Sequence, residues 1–298
     1  MDRRTLGQTG MQVSILGFGG AEIGYGHAAQ ATVDRLLGEA LDAGLNVIDT
    51  AECYLTSEAL IGHAVAHRRQ ECYLLTKCGH ASGLNLPDWD PRLLVASIER
   101  SLHRLRTDYV DVVQLHSCAA DVLRRGELIE VLQRARAAGK TRYLGYSGDG
   151  EAARYAIACG AFDTLQTSIN IADQEAIDLT LPLARARGLG VIAKRPLANV
   201  AWQHGTRPAD PYIQAYWERL RLLDYDFLRQ GLAEAVGIAL RFTLSVDGVH
   251  TAIVGSAQPG RWRQNAALLA AGPLAREPFE AIRTRWHTRA GADWHGEE

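Results

Sequence analysis

The chain has 298 residues and a formal charge of -2, from 32 basic and 34 acidic side chains. With 47% hydrophobic and 22% charged residues, wholesale disorder is excluded and a large core is affordable. The near-neutral balance argues against nucleic acid or another polyanion as partner, and no apolar run reaches the ~18 residues of a membrane span.

The start, MDRRTLGQTG, carries no secretory hydrophobic segment, so a cytoplasmic location is the expectation. Residues RRTLGQTGMQVS read as two short strands around a Gly-containing turn, a hairpin that could plug the bottom of a barrel. Short apolar, β-branched runs follow at 13–18, 46–49, 72–77, 109–116, 142–147, 163–168, 190–194 and 250–254. Helical spacing fills the intervals. Val33, Leu36, Leu37, Ala40 and Leu41 share a face, as do Leu94, Ile98, Leu102 and Leu105. Leu128, Leu132 and Ala135 repeat the pattern, and so do Ala152, Ala153, Ala156 and Ile157. Gly44, Gly139 and Gly188 stand just past three of these helices, where glycine ends a helix without strain. Strand and helix alternating eight times, with no linker, predict a (β/α)8 TIM barrel spanning residues 1–298 as one domain. The stretch 198–250 is long and rich in aromatics, with helical spacing near 211–229. It reads either as a lid over the C-terminal face or as an extra helix packed outside. The tail ends in a helix near 277–289.

Five cysteines, Cys53, Cys72, Cys78, Cys118 and Cys159, form no C-x-x-C pair, so neither a disulfide framework nor a metal site is expected. Only three of the basic residues are lysine, namely Lys77, Lys140 and Lys194. Where arginine holds almost every basic position, a remaining lysine invites a role for its compact, titratable ammonium.

Three consecutive strands end in polar residues: Asp49, Lys77 and His116. Side-chain alternation turns all three inward, toward the C-terminal mouth where barrel active sites lie. Tyr54 lies five residues past Asp49, on the loop after the same strand. Asp49 would hold the Lys77 ammonium, the ammonium would lower the Tyr54 pKa, and Tyr54 could then donate a proton. His116 would bind the same substrate oxygen. Such a set suits carbonyl reduction, given a bound nicotinamide to supply hydride.

At these residues the chain resembles the aldo-keto reductase family. DTAECYLTSEALIG, from Asp49 to Gly62, is similar to the signature D-T-A-x-x-Y-G-x-S-E-x-x-L-G, with Leu55 in place of the usual Gly. LLTKCG, DYVDVVQLHS, LGQTGMQVSILGFGG and GKTRYLGYSGD extend the resemblance over about residues 3 to 270. It implies a catalytic set of Asp49, Tyr54, Lys77 and His116, and NADP(H), with NAD(H) possible, extended across the barrel top. Gly20 and Asp49 then border the cofactor, and Ser147 and Gln166 hold its carboxamide. Gly148 replaces the usual Asn, and Asn170 could compensate. At the nicotinamide-stacking segment the chain reads Ala193, Lys194, Arg195, Pro196, Leu197, which puts a cation where relatives carry an aromatic. IVGSAQPGRWRQN resembles the adenosine-phosphate loop, with Gly255, Ser256, Gln258 and Arg261 toward a 2′-phosphate and Gln264 and Asn265 toward adenine. Ala21, Tyr25, His27, Trp89 and Cys118 are candidates for the substrate wall.

The resulting expectation is an NADP(H)-dependent reductase of aldehydes, ketones or sugars, or a dehydrogenase of the matching alcohols. Its partner is a small molecule, with no membrane or nucleic acid, and the chain is monomeric or a homo-oligomer. The alternatives are a nicotinamide-binding redox sensor or regulatory subunit with little turnover, and a Schiff-base lyase using Lys77.

Overall fold

The computed structural model describes residues 1–297. Strands β1 (Arg3–Thr5) and β2 (Gln12–Ser14) pair antiparallel as a hairpin. The barrel strands are β3 (Leu16–Gly19), β4 (Val47–Asp49), β5 (Tyr73–Cys78) and β6 (Val110–His116), then β7 (Thr141–Ser147), β8 (Thr164–Ser168), β9 (Gly190–Lys194) and β10 (Thr251–Gly255). They run parallel in chain order, and β10 closes on β3. This is the eight-stranded α/β barrel that the alternating pattern predicts.

Helices α1 (Ala21–Tyr25) and α2 (Gln30–Asp42) follow β3, α3 (Ser57–Val65) follows β4 and α4 (Pro91–Leu105) follows β5. After β6 come α5 (Ala120–Arg124) and α6 (Glu127–Ala137), after β7 α7 (Gly150–Cys159), and after β8 α8 (Glu175–Leu179) and α9 (Leu181–Ala186). α10 (Pro211–Leu223) and α11 (Leu232–Ser245) link β9 to β10, and α12 (Arg261–Leu268) and α13 (Arg276–Arg289) complete the chain. The predicted apolar faces of α2, α4 and α6 are buried against the sheet. Gly44, Gly139 and Gly188 adopt φ of +97°, +75° and +68°, so each ends its helix in the left-handed region.

One predicted strand divides in two. Residues 13–18 read as a single run, but Ile15 separates β2 from β3. The Asn46 side chain causes the break: its Oδ1 accepts from the Ser14 amide at 2.6 Å and its Nδ2 donates to the Gln12 carbonyl at 2.7 Å. The hairpin lies where the sequence places it. Leu6, Met11 and Val13 join Val47, Leu75, Val112, Ile192 and Ile253 in the cluster that fills the barrel interior. A larger cluster lies between strands and helices. A third gathers Tyr216, Leu220 and Leu223 of α10, Phe242 of α11 and Trp286 of α13. The long connection therefore builds its own small core outside the barrel. Its first helical turn still reaches the mouth, because the Tyr212 hydroxyl accepts a hydrogen bond from Arg195.

Among the described residues, no helix is long and apolar enough to cross a membrane.

Candidate active site

Asp49 and His116 end β4 and β6, and Lys77 is the penultimate residue of β5, between them. The Lys77 Nζ donates to Asp49 Oδ2 at 2.5 Å, to the Thr50 carbonyl at 2.9 Å and to the Tyr54 hydroxyl at 3.5 Å. An ammonium has three protons, and these acceptors use all of them. The other carboxylate oxygen, Asp49 Oδ1, accepts from Gln114 Nε2 at 3.0 Å and Gln166 Nε2 at 2.8 Å. Ser147 Oγ extends the chain of bonds to Gln166 Oε1 at 3.2 Å. The Tyr54 and His116 rings meet edge to face with centroids 5.6 Å apart. The structure thus brings the four predicted polar residues together, with Ser147 and Gln166 on the same network.

Why the 49–62 segment holds Tyr54 over the mouth is visible residue by residue. Thr50 Oγ1 and Ser57 Oγ share a hydrogen bond of 2.8 Å, and Ser57 Oγ donates to the Gly20 carbonyl at 2.8 Å. The buried Glu52 pairs with Arg100 at 2.7 Å, and Glu58 accepts from Thr76 Oγ1 at 2.7 Å. Gly62 lies against α4 so closely that a Cβ there would sit 2.3 Å from the Arg104 carbonyl oxygen. Side chains thus anchor the loop from both ends, and a close helix contact fixes α3 behind it.

The titration behaviour departs from expectation at Tyr54. Burial raises its pKa above the ordinary phenol value, and the nearby Lys77 ammonium only partly opposes this. The tyrosine is therefore a fully protonated phenol at neutral pH, ready to give a proton but not acidified overall. Burial also disfavours the Lys77 charge, but Asp49, together with Tyr54 and Cys53, lifts the ammonium above its usual range. Burial, and then the charge of Lys77, hold His116 well below its ordinary value, so the ring is neutral. Cys53 Sγ lies 3.4 Å from His116 Nδ1. Burial pushes that thiol up to about 11, so it keeps its proton.

On the far side of the mouth, Lys194 is paired with Asp149 at 2.8 Å. Asp149 also accepts from Thr167 Oγ1 at 2.6 Å and from the Ser168 amide at 2.7 Å. The sequence reading set a cation facing the ring or the pyrophosphate; the structure gives Lys194 a carboxylate partner. Asp149 escaped notice because it follows Gly148, the position at which the usual Asn is missing; the signal was the acid one residue further on. Gln114, Glu52 and Tyr212 were missed as well. Arg195 donates to Ser168 Oγ at 2.9 Å and stacks 4.5 Å over the Tyr212 ring. Arg195, Ala198, Asn199 and Val200 all have φ between +45° and +54°, a run of left-handed non-glycine backbone just past β9. Pro196 accepts from Thr243 through its carbonyl, and Leu197 packs between the two outer clusters.

Asn170 Oδ1 caps the Ala172 amide at 2.8 Å, which leaves its Nδ2 buried without a partner. In the 255–265 loop, Arg261 is exposed and donates to Gln258 Oε1 at 2.8 Å, while Ser256 Oγ accepts from the Gln258 amide at 3.0 Å. Gln264 is exposed and Asn265 buried. A carboxylate oxygen of Glu22 comes within 3.1 Å of where a Gly255 Cβ would lie. Of the substrate-wall candidates, Tyr25 packs at a tilt 5.6 Å from Tyr54, and Trp89 lies 5.2 Å from His80, itself 5.3 Å from His116. Ala21 is half-buried at the start of α1, and His27 follows α1 with φ +48°. Cys118 does not line the mouth: its thiol is buried in the apolar layer under the helices. All five cysteines are free, and the described residues hold no His, Cys, Asp and Glu group able to ligate a metal.

The family model of the aldo/keto reductases matches residues 15–286. The chain belongs to the aldo/keto reductase family. It is 28% identical to the L-galactose dehydrogenase of Arabidopsis thaliana over 90% of this chain and 88% of that protein. It is 27% identical to the NADH-specific methylglyoxal reductase of Escherichia coli over 95% and 99%. It is 29% identical to the 6-dehydroglucose reductase of Novosphingobium aromaticivorans over 98% and 93%. A holo-form aldo-keto reductase from Bacillus halodurans superposes with a TM-score of 0.83 at 26% identity, over 96% of each chain. The protein is therefore an oxidoreductase of this family.

The family signature departs from its usual Gly at Leu55, and the structure gives the consequence. Leu55 is half exposed and has φ +48°, a left-handed conformation that costs a residue bearing a Cβ about 1–2 kcal/mol. Leu55→Gly should raise stability by about 1 kcal/mol, or roughly 2 °C in Tm, by thermal melting. A lowered Tm would contradict the strain.

Proposed function

We propose that the protein is an NADP(H)-dependent reductase of small aldehydes, ketones or sugar carbonyls, with Tyr54 as the proton donor. The observation that carries this reading is the Lys77 ammonium, fixed by Asp49 on one side and bonded to the Tyr54 hydroxyl on the other.

The donor set fits a nicotinamide dinucleotide. Ser147 at the end of β7 and Gln166 within β8 present a hydroxyl and an amide, suited to a carboxamide. Asn170 Nδ2 is buried with no hydrogen-bond partner. Lys194, Arg195 and Arg261 bring cations to the loops after the seventh and eighth barrel strands, the usual phosphate-binding place in this architecture. When bound, the nicotinamide would supply the hydride that no side chain can provide.

The chain's own residues do the rest. The carbonyl oxygen of the substrate would rest between the Tyr54 hydroxyl and the His116 imidazole. As negative charge develops on that oxygen, the neutral imidazole donates a hydrogen bond to it and Tyr54 gives up its proton. The Lys77 ammonium stabilises the resulting tyrosinate. Asp49 keeps the ammonium charged and in register, and its second oxygen holds Gln114 and Gln166 in place. Tyr25, packed at a tilt against Tyr54, and Trp89, beside His80, would shape the entrance. A preference for the 2′-phosphate rests on Arg261, opposed by the Glu22 carboxylate at Gly255.

Tyr54→Phe should lower steady-state reduction of a panel of aldehydes by roughly 10²- to 10⁴-fold while leaving dinucleotide binding intact. Turnover by that variant at the parental rate would refute the assignment. Arg261→Ala should raise KM for NADPH by about tenfold with little change for NADH, as befits one charge-assisted contact. Equal effects on the two cofactors would remove Arg261 from the phosphate.

A further inference from the structure

Beyond α13, residues 291–297 return across the barrel mouth. Trp294 packs on Trp286, with centroids 5.6 Å apart, and lies 5.5 Å from the Arg219 guanidinium. Arg219 Nη2 donates to the His295 carbonyl at 3.0 Å and to the Glu297 carboxylate at 2.5 Å. Arg195 Nη1 donates to the Glu297 carbonyl. Gly296 is seated against Asp149, so tightly that a Cβ there would fall 2.1 Å from the Asp149 Cγ. Two arginines from different elements, the loop after β9 and α10, therefore converge on Glu297.

The corner offers more than this segment uses. Arg219 Nη1 is buried and makes no hydrogen bond, and neither does Asn170 Nδ2. The neighbouring carboxylates offset the arginines only in part. Asp149 is committed to Lys194. Asp173 stays 4.0 Å from Arg219 Nη1, and burial, then the charge of Asp149, pushes its carboxyl up to about 8. Glu297 meets both guanidinium groups, its carboxylate on Arg219 and its backbone carbonyl on Arg195, in the place an external anion would take.

We propose that Arg195 and Arg219 form an anion seat at this end of the barrel. The segment Gly291–Glu297 fills it as an internal ligand, and the phosphates of a dinucleotide take the seat by displacing that segment. The dinucleotide rests on the cofactor reading above; the seat and its internal occupant do not. An internal occupant weakens apparent affinity in proportion to the fraction of time it is seated.

The test is calorimetric titration of NADPH, NADH and inorganic pyrophosphate into three proteins: the full chain, a chain ended at Ala290, and Gly296→Ala. The methyl of Gly296→Ala collides with Asp149 and unseats the tail without deleting it. Circular dichroism checks folding, and Gly296→Ala carries the comparison alone if the shortened chain does not fold. Both variants should bind dinucleotide about tenfold or more tightly than the full chain, and adding Arg219→Ala should abolish the gain. Equal or weaker binding by the folded variants overturns the displacement. Tighter pyrophosphate binding without any dinucleotide binding upholds the seat and defeats the cofactor reading. Absence of binding by all three probes overturns both.

Discussion

A buried ammonium and a buried carboxylate hold this site together. Lys77 and Asp49 are each almost wholly removed from solvent, at 1% and 2% exposure. Desolvating two charges is costly, and the pair persists only because every remaining donor and acceptor is matched. Lys77 spends its protons on Asp49, the Thr50 carbonyl and Tyr54, and Asp49 spends its second oxygen on two glutamines. Stranding one partner of such a pair typically costs about 3–5 kcal/mol. The position of the Tyr54 hydroxyl is thus part of the solution to an electrostatic problem in the barrel, and its chemistry follows from that.

The mouth is divided by charge. On one side stand two neutral proton carriers, Tyr54 and His116, whose titrations burial drives apart: the phenol upward and the imidazole downward. On the other side stand Lys194, Arg195 and Arg219, partnered by Asp149 and by the chain's own tail. Neutral donors suit a developing oxyanion, and fixed cations suit phosphate. The backbone is strained where the two regions meet the loop after β9, with four residues in left-handed conformations. Packing from α10 and α11 holds that loop, which explains why the long connection builds a core of its own.

Much of this was legible in the sequence, for reasons that are local. Alternating strand and helix periods gave the barrel, and glycines after helices gave their ends. The inward register of Asp49, Lys77 and His116 follows from two-residue periodicity alone. The rest depends on contacts that periodicity does not encode. The split at Ile15 comes from a side chain 31 positions away, Asn46. Ammonium proximity alone suggested an acidified Tyr54, but burial is the larger effect. Cys118 follows His116 by two residues, and the turn at Ser117, with φ +57°, directs its thiol into the core instead of the mouth. The seating of Gly296 on Asp149 joins residues far apart in sequence and leaves no local pattern.

The central claim is that Lys77, held by Asp49, lowers the proton affinity of Tyr54 against the larger effect of burial. Single-turnover alcohol oxidation as a function of pH, in the parent and in Lys77→Met, tests it most directly. Under the proposed mechanism oxidation requires Tyr54 to accept a proton, so the rate should rise with pH through the alkaline range as the phenol ionises. Without the ammonium that opposes burial, the inflection should move up by roughly one pH unit or more. An unchanged or lower inflection in a folded Lys77→Met protein would contradict the account.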